Sequence, residues 1–128
     1  MKLLVDTHLL LWAASQPSRL PDAARDLLND AGKQPYFSAA CMWEIVIKGA
    51  LGRPDFVVDA SRLRRGLLDH GYLELPIEGP HALAVASLPG LHRDPFDRIQ
   101  IAQARVEGML FLTSDATLTG YGDPVRVV

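Results

Sequence analysis

A chain of 128 residues with 48% apolar and 22% charged side chains has the make-up of one ordinary globular domain, long enough to bury about two thirds of its unfolded surface. Its single cysteine, Cys41, excludes an intrachain disulfide and points to a reducing, cytoplasmic setting. No apolar run approaches the roughly 18 residues of a membrane span, and the net charge of −2 argues against a protein that holds nucleic acid by charge alone.

In chain order, Leu3-Leu4-Val5 is a short apolar run leading straight into Asp6-Thr7. That is the pattern of a buried parallel strand with Asp6 at its carboxyl end, and no signal pattern precedes it. His8 to Ala14 reads as a short helix broken by Ser15-Gln16-Pro17, and Pro21 opens a second, running through Asp30 to Gly32. Tyr36-Phe37 is a brief strand. Ser38 caps a helix from Ala39 to Leu51, closed by Gly52 with Pro54 beyond. Asp59 or Ser61 starts the next helix, through Leu63 and Leu67 to His70-Gly71; Tyr72 to Leu75 is a strand bounded by Pro76. Gly79-Pro80 opens a helix from His81 to Leu88, followed by a Pro89-Gly90 turn.

The best-marked helix comes next. Asp94 is a preferred N-cap, Pro95 suits the first helical position, and Gly108 is a natural C-terminal stop. Within it Phe96, Ile99, Ala102 and Val106 share one face, and Asp97 shares another with Ile101 and Ala104. Met109 to Leu112 is the clearest strand, ending at Thr113-Ser114-Asp115, and Val125 to Val128 is a last short one. Strands alternating with helices, without repeat or linker, predict an α/β sandwich of residues 1–128 with a mainly parallel sheet. Sites in such sheets form outside the carboxyl ends of the strands.

Four acids can gather there: Asp6, Glu44, Asp97 and Asp115. Each has a plainer reading. Asp6 can N-cap the following helix, Asp97 can sit in the first turn behind the Asp94 cap, and Asp115 can be a turn or cap residue. Glu44 lies six residues past Ser38, too far for a capping box, and its plain reading is an exposed i,i+4 pair with Lys48. Against that reading, Ala40, Ile47 and Leu51 on one side of this helix and Met42, Trp43, Val46 and Ala50 on the other make both faces apolar. Carboxylates converging at about 4 Å, with an effective dielectric near 20, repel by about 4 kcal/mol per pair. A cation or protonation must offset that repulsion. An oxygen-only donor set selects a hard ion, Mg²⁺ or Mn²⁺, which suits phosphodiester hydrolysis. Setting these four negative charges aside turns −2 into +2.

Other chemistries lack parts. The chain has no Walker-type loop, no G-x-S-x-G elbow and too few cysteines for a Cys-rich zinc site. His8, His70 and His81 read as surface or packing residues; His92, five residues before Asp97, stays open as a ligand. The arginines read mostly as a solvated face, with Arg93 and Arg98 the candidates for phosphate contact because they flank Asp97.

Taken together, Leu4-Val5-Asp6-Thr7-His8 with Leu11-Trp12, Ser38 ahead of Trp43-Glu44-Ile45-x-Ile47-Lys48, and Leu75-Pro76-Ile77 with His81-Ala82 resemble the PIN-domain ribonucleases. So do His92-x-Asp94-Pro95-Phe96-Asp97-Arg98, Ala102-Gln103-Ala104 and Thr113-x-Asp115. Within that family the pattern is similar to the VapC toxins of VapBC toxin–antitoxin pairs, over nearly the whole chain. The resemblance implies a three-layer α/β/α sandwich and a metal-dependent endoribonuclease. It further implies a cognate antitoxin whose C-terminal tail occupies the site, and a homodimer. By the same resemblance Asp6, Glu44 and Asp97 are the core Mg²⁺ or Mn²⁺ ligands, Asp115 the more variable fourth, and Thr7, Ser38 and Thr113 hydroxyls that support them. Two departures stand out: Cys41, where such relatives often carry a serine, and the looser Ala116-Thr117-Leu118 ending. Two rivals remain: an aspartyl-phosphate receiver or phosphatase, which would need paired acids that Asp6-Thr7-His8 does not supply, and a PIN fold kept only for binding.

Overall fold

Leu3, Leu4 and Val5 are all fully buried, as a strand must be when both faces of its sheet are covered. The computed structural model describes residues 1–91 and 93–128, so His92 and its possible ligand role lie outside the described residues. Its sheet contains β1 (Lys2–Val5), β2 (Gln34–Ser38), β3 (Leu73–Leu75), β4 (Leu110–Thr113) and β5 (Val125–Val127). The spatial order is β3-β2-β1-β4-β5 and every pairing is parallel. In register, Leu4 stands between Tyr36 on β2 and Phe111 on β4.

Helices α1 (Thr7–Ser15) and α2 (Asp22–Asn29) connect β1 to β2, and α3 (Ala39–Ala50) and α4 (Ala60–Asp69) connect β2 to β3. The chain then returns across the sheet through α5 (Gly79–Ala84) and α6 (Pro95–Glu107) to β4. Right-handed crossovers that run in opposite directions put their helices on opposite faces. The two cores show this directly. Leu3, Val5, Phe37 and Leu112 pack with Leu9, Leu10, Ile45 and Leu63 on the side of α1–α4. Leu4 and Phe111 pack with Ile101, Ala102 and Leu118 on the other side. The result is the three-layer α/β/α sandwich expected from the sequence.

The chain leaves β1 toward β2 on one side, while β4 lies on the other, so the strand order reverses between β1 and β4. A crevice opens at the carboxyl ends of two strands where connections diverge in this way. Asp6 follows β1 and Thr113 ends β4, so both stand at that crevice.

The differences from expectation are local. Helix α5 stops at Ala84 and tightens into a 3₁₀ turn at Val85–Ser87. Further 3₁₀ turns at Pro17–Arg19, Pro54–Phe56 and Ala116–Tyr121 are too short to leave a periodic signal. Val106 is 44% exposed, so it does not continue the buried face of α6, which instead includes Gln100 and Gln103. On α3 the expected two apolar faces are one: Trp43 and Val46 are 60% and 59% exposed, while Glu44 is buried. No helix among the described residues is long and apolar enough to cross a membrane.

Candidate active site

Asp6 joins two elements, α1 and β4. Its carboxylate caps α1 by accepting the His8 N–H at 3.1 Å. It also accepts the Thr113 hydroxyl of β4 at 2.5 Å, across the crevice. The plainer reading of Asp6 as an N-cap is therefore true, and it coexists with a second contact that capping does not require. Thr113 Oγ1 in turn accepts the backbone N–H of Asp115 at 3.1 Å. The next residue after Asp6, Thr7, donates its hydroxyl to Glu44 Oε1 at 2.6 Å. Asp6 and Glu44 come from strand ends and helices far apart in sequence, yet Glu44's negative charge is close enough to act on Asp6.

Glu44 extends the network to α6. Its Oε2 accepts Lys48 Nζ at 2.6 Å, and Lys48 also reaches Asp94 Oδ2 at 3.3 Å. Asp94 Oδ1 caps α6, taking the N–H groups of Phe96 at 2.8 Å and Asp97 at 3.2 Å. The i,i+4 pair of Glu44 and Lys48 exists, but it is not the exposed pair of the plainer reading: the two side chains are 4% and 14% exposed. Lys48 and Asp94 are the residues that sequence reasoning left out of the site. The i,i+4 spacing was the signal for the first, and the capping motif for the second.

Burial dominates the electrostatics. It pushes the Asp6 carboxyl above its ordinary value, assisted by the Glu44 charge and opposed by the Thr113 and His8 hydrogen bonds. Burial also pushes the Cys41 thiol up to about 12, so it is a protonated donor, with Gln100 Oε1 at 3.4 Å. For Lys48, desolvation favours the neutral form, but the hydrogen bonds and charges of Glu44 and Asp94 outweigh it and raise its pKa.

The other sequence candidates are held by contacts of their own. Asp97 is half-buried in the first turn of α6, held through its own N–H to the Asp94 cap. Asp115 is a cap, as its plainer reading has it: Oδ1 accepts the Thr117 N–H at 2.9 Å and the Thr117 hydroxyl at 2.6 Å. Ser38 caps α3 through Ala40 N and donates to Gln103 Oε1 at 2.6 Å, tying α3 to α6. Arg98 donates to the Pro89 and Val85 carbonyls and the Tyr121 hydroxyl, which makes it a tie between α6 and the segments beside it. Arg93 is exposed.

Among the described residues, three metal-capable side chains have ligand atoms within 4.8 Å of one another only at Glu78, His81 and Glu107. Glu107 lies ten residues along α6 from Asp97, about 15 Å by helical rise. In this group buried His81 accepts the Glu78 N–H at Nδ1 (3.0 Å) and faces Glu107 Oε2 through Nε2 at 2.7 Å. A metal-bound imidazole normally donates through its other nitrogen; here that nitrogen is an acceptor. The group ties the start of α5 to the end of α6.

The Asp6–Glu44 pair has the chemistry of a hard-cation site. Every donor is a carboxylate oxygen, and carboxylate oxygens that accept one hydrogen bond keep a further lone pair. Mg²⁺ retains several waters and needs only one or two direct carboxylates, so a buried pair of carboxylates fits it.

The PIN domain model matches residues 3–123. No curated protein matches the chain in sequence. Among solved structures, VapBC2 from Rickettsia felis bound to a DNA fragment from their promoter superposes with a TM-score of 0.70 at 12% identity, covering 100% of this chain and 98% of that one. A toxin–antitoxin complex from Klebsiella pneumoniae gives 0.67 at 18% identity over 98% and 96%. VapBC-1 from nontypeable Haemophilus influenzae gives 0.63 at 16% over 100% and 97%. At such identities the likeness is one of fold. With a family match spanning nearly all of the chain, the protein belongs to the PIN-domain family, a family of nucleases.

Proposed function

We propose that residues 1–128 are a single PIN domain acting as a metal-dependent endoribonuclease, the toxin of a VapBC-type pair, in the cytoplasm. In this reading it hydrolyses RNA phosphodiester bonds, is restrained by a cognate antitoxin and works as a homodimer. The observation that carries it is the buried link Asp6···Thr113 and Thr7···Glu44 at the reversal of the sheet. Glu44 has Lys48 beside it, whereas burial raises the Asp6 carboxyl above its ordinary value, a cost that a shared divalent cation would offset. The VapBC folds add support for the toxin assignment.

Asp6, Glu44 and Asp97 would hold Mg²⁺ or Mn²⁺, with Asp115 completing the set. When bound, such an ion activates water and stabilises charge developing on phosphate oxygens. The chain's own residues prepare this. Thr113 and Thr7 orient Asp6 and Glu44, the Asp94 cap fixes the backbone of Asp97, and Ser38 fixes α3 against α6. Arg93 supplies an exposed cation near Asp97 for the RNA backbone, with Arg98 next to it in a more structural place.

Incubating the pure chain with total tRNA tests the reading. Cleavage is expected with Mg²⁺ or Mn²⁺ and its loss with EDTA. Asp97→Asn is expected to lower the rate by about 100-fold or more while keeping stability within about 1 kcal/mol. Cleavage by that variant at the parent rate would remove Asp97 from the site. Co-purification with the product of a small neighbouring reading frame, and relief of cleavage when that product is removed, tests the antitoxin.

A further inference from the structure

Lys48 is the residue that the nuclease reading does not use. It is a cation 14% exposed; a place in the last turn of α3 suits its charge but does not call for burying it. Its ammonium lies 2.6 Å from Glu44 Oε2 and 3.3 Å from Asp94 Oδ2. It also stands 5.0 Å from the centroid of the Phe56 ring and 5.6 Å from that of Phe96, so aromatic faces replace water on part of its surroundings. Asp94 holds the N–H of Asp97. One side chain therefore connects the acid of α3 to the backbone position of the acid of α6.

From this geometry we propose that Lys48 is the resident counter-ion of Glu44, a positioning residue that holds the carboxylate rim together before any metal arrives. The metal part of the proposal rests on the nuclease reading; the counter-ion part does not. Glu44 is buried, and a buried carboxylate without a partner is strongly unfavourable. Lys48 supplies that partner in the metal-free protein. A divalent ion approaching Glu44 meets a positive charge already there, so Lys48 also weakens metal binding by like-charge repulsion. The site is thereby held folded when empty and kept from binding cations too tightly.

The consequences have opposite signs, which a merely structural lysine would not produce. In EDTA, Lys48→Met is expected to lower Tm by about 10 °C. Adding Glu44→Gln to it is expected to restore most of the loss, because the neutral amide no longer needs a cation. By calorimetric titration with Mn²⁺, Lys48→Met alone is expected to bind about tenfold more tightly than the parent. Failure of Glu44→Gln to restore the lost stability overturns the assignment, and so does measurable Mn²⁺ binding by both proteins with Lys48→Met no tighter than the parent. If the restoration occurs while neither protein binds Mn²⁺, the counter-ion stands and the metal reading falls.

Discussion

Asp6 is a carboxylate placed where water scarcely reaches, at 5% exposure. Its pKa is raised chiefly by burial, so folding favours its protonated form. An acid shifted this way contributes stability below its unfolded pKa and loses it as pH rises through the folded value. At neutral pH, without a metal, its charge works against the fold. Asp6→Asn removes that dependence. In EDTA, the stability of Asp6→Asn relative to the parent should therefore rise between pH 4 and pH 8, as read by chemical denaturation across the series. A difference independent of pH would show that the Asp6 charge is not opposed by its surroundings. Cys41 belongs to the same scale: a thiol held up near 12 by burial stays protonated, so its place beside Gln100 is one of packing and hydrogen bonding.

At the scale of elements, the site depends on how α3 and α6 begin. Both helices have side-chain caps, Ser38 and Asp94, and both caps do a second job. Ser38 joins α3 to Gln103 on α6, and Gln103 reaches on to the Pro76 carbonyl after β3. Asp94 joins α6 to Lys48 on α3. These reciprocal ties hold α3, which carries Glu44, against α6, which carries Asp97. Ser38→Ala should cost about 1–2 kcal/mol for the lost cap, with a further loss from the buried Gln103 oxygen. Guanidinium denaturation measures it, and a change below about 0.5 kcal/mol would mean that water replaces the hydroxyl on both sides.

Over the whole molecule, the two cores have to form together, because consecutive residues of β1 and β4 point into opposite ones. Phe37 fills the side of α1–α4 and is fully buried. Phe37→Ala should destabilise by about 3–5 kcal/mol with the denaturant slope unchanged. A slope that drops would indicate that one layer unfolds apart from the other. The same two-sided arrangement places the sheet's reversal between β1 and β4. It is the reversal that brings residue 6 beside residue 113, at 2.5 Å.

Much of this was legible in the chain itself. The run Leu3-Leu4-Val5 before Asp6, the Asp94-Pro95 start and the Gly108 stop are local signals, fixed by steric and hydrogen-bonding preferences of neighbouring residues, and the helices and strands follow them. The family's motifs single out Asp6, Glu44, Asp97 and Asp115. What local order does not encode is which face of a helix turns inward when both look apolar. Packing of α3 on α6 decided that, burying Glu44 and exposing Trp43 and Val46. It also turned an ordinary i,i+4 pair into a shielded one with Asp94 as third member. It drew the donors of Arg98 onto carbonyls, and sent the Ser38 hydroxyl to Gln103. Charges and polar groups find their partners through space, across loops of any length; the sequence determined the groups on offer, and the tertiary structure decided which of them meet.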